Sequence, residues 1–144
     1  MVDPKRQAGL RDAIEAFFFA YRAFTAGPDR ILGQRSLGRV HHRILYFVGR
    51  SPGIAMNELL DTLGVTKQAL NAPLRRLVEM KLVAVDAVAH DRRYRQLSLT
   101  PDGQRLEAQL TGTQMKQLAA VFAEQGADAE AAWLAVMRRL PQRS

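Results

Sequence analysis

The residues best suited to chemistry in this chain are cationic, and they are clustered. "HDRRYRQLSLTPDG", residues 90–103, sets Arg92, Arg93 and Arg95 directly after Asp91 and interleaves Tyr94. A second group, Thr66, Lys67, Gln68, Asn71, Arg75 and Arg76, lies about twenty residues earlier. Guanidinium and ammonium groups pair with phosphate, and the amides of Gln and Asn can pair two-pronged with an adenine edge. Between Thr66 and Arg95, seven lysines and arginines stand against Glu79, Asp86 and Asp91. Residues 101–144 are balanced, and residues 1–50 carry nine basic against four acidic side chains. The net charge of +7 and pI of about 10.5 therefore have a location, and they point to an anionic partner, nucleic acid above all. Taken alone, the cluster at 91–95 could equally be a solubilising strand edge.

The same reading excludes other chemistry. No nucleophile–base pairing, phosphate loop or metal cluster stands out, so no catalytic residue, metal or cofactor is expected. With no cysteine, thiolate sites and disulfides are ruled out. His41 and His42 are adjacent, but neighbouring helical positions diverge by about 100°, which suits packing better than a shared metal. The longest apolar run, "AFFFAY", is far short of a membrane span, and "MVDPKRQAGLRD" lacks the apolar centre of a signal peptide. A cytoplasmic location is the default expectation.

The elements that would position these groups follow from hydrophobic periodicity. Leu10, Ile14, Phe17, Phe18, Tyr21 and Phe24 predict a helix over 9–25, with "AGPDR" at 26–30 as a break. Residues 36–49 predict a second helix, ended by "RSPG". A short helix at 55–63 is followed by Gly64 at the position for a left-handed terminator. Thr66 then suits the N-cap of a further helix whose apolar side is Ala69, Leu70, Leu74, Leu77 and Val78. Two short helices joined by a tight turn, the second with a polar and basic face, form a helix-turn-helix. After Leu82 the period falls to two, so 83–90 and 94–100 predict a hairpin around a "DRR" tip. A long helix over 101–124, a turn at 126–128 with Asp128 as N-cap, and a last helix before Pro141 complete the order.

A helix-turn-helix followed at once by a hairpin is a winged helix. From 53 to 103 the chain resembles the MarR family of bacterial transcription regulators. The most specific match is Asp91, Arg93, Leu99, Thr100 and Gly103, the family's wing pattern, and "ELLDTLGVT" matches its helix-turn segment. The resemblance implies a mainly α (α+β) fold with about six helices and one hairpin wing, in a single domain spanning 1–144. Residues of about 1–35 and 104–144 would form dimerisation helices, with Trp133 in the dimer core, and about 36–103 the DNA-binding lobe. It further implies a homodimer on double-stranded DNA, with Asp91 organising the wing and Arg93, or its neighbour Arg92, entering the minor groove. Thr66, Lys67, Gln68 and Asn71 would meet bases or phosphates, and Arg75 and Arg95 phosphate. Arg76 would do the same or pair with Glu79 or Glu58. Many relatives bind small anionic or aromatic effectors, and Phe17, Tyr21, His41, His42 and Tyr46 either line such a cleft or pack as core. A winged-helix module for protein interaction is the rival reading.

Two residues depart from the family pattern. Pro73 inside the recognition helix removes the N–H that would bond Ala69 and predicts a kink or a restart. Lys81 stands where glycine is usual, and a left-handed backbone there would carry strain.

Overall fold

The structure is a computed structural model that describes residues 2–88 and 91–143. Of residues 87, 88 and 91–94 only the backbone is described. Six helices and a three-stranded antiparallel sheet follow the order α1 (Pro4–Gly33), α2 (Arg39–Arg50), β1 (Ile54–Ala55), α3 (Met56–Leu63), α4 (Lys67–Glu79), β2 (Val83–Val88), β3 (Asp91–Leu99), α5 (Pro101–Gln125) and α6 (Ala127–Arg139). A 3₁₀ turn, Leu140–Arg143, closes the chain. This is the winged-helix arrangement, with α3 and α4 as the helix-turn-helix and β2–β3 as the wing.

The leucines at helical spacing build the core. Leu70, Leu74 and Leu77 of α4 are buried with Ile44, Leu45 and Val48 of α2, Leu59 of α3, Val83 and Leu97 of the sheet, and Leu106 and Leu110 of α5. Gly64 ends α3 with φ 66°, and Thr66 caps α4 by accepting the Ala69 N–H at 3.1 Å, both as the sequence implies. Lys81 has φ 60° and occupies the left-handed position of a Schellman terminator. The Leu82 N–H bonds the Leu77 carbonyl at 2.9 Å and the Lys81 N–H bonds that of Val78 at 3.0 Å.

Five expectations need correction. First, α1 does not break at 26–30; it continues through a buried Pro28 to Gly33. Proline leaves the carbonyl four residues earlier, that of Phe24, without its helical donor. The Gln114 side chain of α5 supplies one, its Nε2 donating to Phe24 O at 3.3 Å. Second, of the kink or restart expected at Pro73 the restart is absent: α4 runs from Lys67 to Glu79 with the half-buried proline inside. Third, Ile54 and Ala55 form a strand that periodicity missed, opposite Leu97 and Gln96. Two residues are too few to show a period. Fourth, Asp91, Arg92 and Arg93 belong to β3 by backbone rather than to a tip. The ladder pairs Ala87 with Arg95 and then Val88 with Asp91, so it skips Arg92, Arg93 and Tyr94 as an irregularity of β3. Fifth, Gly126 rather than Asp128 caps α6; Asp128 sits in the first turn. Ser98 and Gln96 of β3 pair with Ala84 and Asp86 of β2.

At the join of wing and α5, Gly103 has no space for a side chain: a Cβ there would lie 2.0 Å from the Leu82 carbonyl oxygen. Gly103→Ala is expected to force α5 away from β2 at a cost of about 2–3 kcal/mol. For a chain of this size that lowers Tm by about 5–10 °C, measurable by calorimetry, and an unchanged Tm would refute the close approach.

Candidate nucleic-acid interface and adjoining cleft

The outward side of α4 is dictated by its inward side. With Leu70, Leu74 and Leu77 buried, Lys67, Asn71 and Arg75 form one exposed ridge, and Gln68, Ala72 and Arg76 the next. Every one of these residues is exposed. The first turn of α4 carries no acidic residue, and Lys67 adds charge to the positive end of the helix dipole. That arrangement slightly disfavours the free helix and favours an anion placed before it. Among the described residues, neither Glu79 nor Glu58 pairs with Arg76. Arg95 is exposed on β3. The side chains of Asp91, Arg92 and Arg93 lie outside the described residues, so only their strand backbone is placed.

A second feature lies where α2 meets α1 and α5. A cavity of about 340 Å³ is walled by Phe24, Pro28, Tyr46, Phe47, Met115 and Leu118. Of the five residues read either as cleft or as core, Tyr21, His42 and Tyr46 line it, whereas Phe17 and His41 do not. Phe17 lies one helical turn before Tyr21 and is exposed. His41 turns instead to the start of its own helix, where its Nδ1 accepts the Gly38 N–H at 2.9 Å.

The charged lining went unread in the sequence. Arg39 forks onto Asp29, with Nη2 2.9 Å and Nε 3.2 Å from Oδ2, and its guanidinium lies 5.5 Å from the Tyr21 ring centre. Arg43 donates to the Tyr21 hydroxyl at 2.8 Å and pairs with no carboxylate among the described residues. Asp29 therefore neutralises one of two guanidiniums, leaving the cleft with surplus positive charge on apolar walls. Only spacing across the predicted break, from Asp29 to Arg39, could have signalled the pair.

His42 is buried at this floor, its Nε2 3.1 Å from Thr111 Oγ1 of α5. Burial is the main cause that holds it below the ordinary histidine pKa of 6.5; nearby Asp29 opposes the shift and Arg43 adds to it. His41 is also lowered, again mainly by burial, with Arg76 adding repulsion. Both are thus favoured neutral in the fold, and the unfolded chain binds their protons more readily. The stability they contribute is full above pH 6.5 and is lost as pH falls through 6.5 toward the lower folded values. Urea unfolding midpoints are expected to be flat from pH 8 to 7 and to decline as pH falls below about 6.5. His42→Gln, which keeps a polar partner for Thr111, should reduce that decline to the share of His41, and an equal decline in the variant would contradict the assignment.

Comparisons agree with this architecture. The pattern described as "MarR family" matches residues 36–93. The HTH-type transcriptional regulator PetP of Rhodobacter capsulatus is 44% identical over 131 residues, covering 91% of this chain and 79% of that protein. Staphylococcus aureus MarR, solved in complex with salicylate and kanamycin, superposes with a TM-score of 0.77 at 21% identity over 96% of this chain and 93% of its own. The S. aureus MepR–DNA complex gives 0.73 at 17% identity, covering 90% and 96%. At such identities the two structures speak for the fold.

Proposed function

This chain belongs to the MarR family of transcriptional regulators, and we propose that it is a sequence-specific double-stranded DNA-binding protein acting as a homodimer on a pseudo-palindromic operator. The observation that carries the reading is the exposed Lys67–Gln68–Asn71–Arg75 face at the capped start of α4, held outward by its buried leucines. That face enters the major groove, where Gln68 and Asn71 read base edges and Thr66, Lys67, Arg75, Arg76 and Arg95 meet phosphate or neighbouring bases. Arg93 of the wing, positioned by Asp91, reaches the minor groove, with Arg92 beside it. The MepR–DNA complex supports this reading as a relative of the same fold bound to DNA.

The dimer is supported by apolar surface that one chain leaves bare. Ile14 is 68% exposed, Phe18 57% and Val136 61%, with Leu10, Phe17, Trp133 and Leu140 also exposed. Large apolar side chains left bare in such number mark an interface. Trp133 packs edge-on to Phe122, centroids 5.5 Å apart, and lies within it. Residues of about 1–35 and 104–144 form the dimerisation region and about 36–103 the DNA lobe.

Between these parts, the cleft suits a flat apolar monoanion, whose charge Arg43 would meet. The salicylate complex of S. aureus MarR supports an effector of this kind.

Selection from a random duplex pool is expected to enrich a two-fold motif with half-sites about one helical turn apart. Affinity for it should fall steeply as salt rises, and a salt-insensitive interaction with no enriched motif would overturn the reading. Arg93→Ala should weaken binding most at A·T-rich flanks, whereas unchanged affinity would pass the role to Arg92. Salicylate should release the duplex from the unaltered protein and not from Arg43→Ala; equal release from both would remove Arg43 from the effector site.

A further inference from the structure

We infer that Thr100 is a positioning residue for operator reading: it sets the angle between α4 and α5 and so the half-site spacing that the protein accepts. The inference rests on the two-fold reading above. Thr100 sits between the wing and α5, outside the polar face of α4. Its Oγ1 donates to the Lys81 carbonyl at 2.7 Å and accepts the Gly103 N–H at 3.0 Å. Its own N–H bonds the Leu82 carbonyl at 3.0 Å. Lys81 is the left-handed residue that terminates α4, and Gly103 belongs to the first turn of α5. One hydroxyl therefore ties the end of the recognition helix to the start of the helix that leads to the dimer region. Gly103 closes the joint from the other side, because its approach to Leu82 leaves no slack.

Leverage makes this joint matter. The 25 residues of α5 span about 37 Å, so a tilt of about 5° at its start moves its far end by about 3 Å. That distance is roughly the rise of one base pair, and each inserted pair also turns a half-site by about 35°. Leu106 and Leu110 press α5 onto the core as well, but the apolar effect carries no direction of its own. The Thr100 bonds are directional and fix both tilt and azimuth. The far half of α5, with exposed Met115 and Val121, carries the angle into the apolar surface assigned to the second chain.

The test uses the selected operator and versions with one or two base pairs added to or removed from its centre. The unaltered protein is expected to lose about tenfold in affinity at a one-pair change, a penalty like that of a single mismatch. Thr100→Val, which keeps the shape and removes the hydroxyl, should bind the best site more weakly and discriminate between spacings by less than about threefold. Thr100→Ser should restore the preference. Ile44→Val, a core variant that leaves every joint bond in place, should lose stability and keep the preference. A sharp spacing preference in Thr100→Val, or a flattened one in Ile44→Val, overturns the inference while leaving the DNA reading intact. An unaltered protein indifferent to spacing overturns the inference and the two-half-site reading together.

Discussion

Everything that α4 presents outward depends on three leucines pointing inward. Burying Leu70, Leu74 and Leu77 contributes about 1.5–3 kcal/mol each, whereas an exposed ion pair contributes about 0–1 kcal/mol. Apolar packing therefore sets the rotation of the helix, and the polar ridges take whatever direction remains. The walls that receive those leucines come from α2, α3, the sheet and the first turns of α5. The outward face of α4 is thus referenced to α5 by the fold itself.

Two devices carry that reference across the molecule. At one end of α5, Thr100 and Gly103 clamp the helix to the terminator of α4. Two to three turns later, Thr111 meets His42 of α2 and Gln114 meets the Phe24 carbonyl that Pro28 leaves open. The cleft lies among these contacts, so a ligand entering it would press on the same helices that orient α4. The proximity of Arg39, Asp29, Arg43 and Tyr21 adds polar links between α1 and α2 at its rim.

Local rules made much of this legible. The leucine spacing, Gly64, the Thr66 cap, the period change after Leu82 and the Leu99–Thr100–Gly103 pattern each act within a few residues, and each lies where the sequence implies. Long-range compensation was not legible. Gly27–Pro28 reads as a break because the donor that rescues Phe24 lies ninety residues away in sequence. Lys81 was readable as a strained position, and the fold holds it at φ 60° through its own bonds to Val78 and Thr100 and the adjoining bond from Leu82 to Leu77. In the cleft, the aromatic residues were legible, but Arg39, Arg43 and Asp29 went unread, because Asp29 fell in the expected break of a helix that is continuous. His41 was read with its neighbour, yet a single residue of helical rotation sends it to the Gly38 N–H instead.

The central claim is that two chains, each with its α4 set by its own core and joined through apolar helical arms, grip one duplex. Sedimentation equilibrium with the selected duplex, at low and at raised salt, tests it most directly. The account predicts two chains per duplex at low salt, and release of an intact two-chain species from DNA as salt rises. A single chain per duplex, or a complex whose stoichiometry and affinity ignore salt, would contradict it.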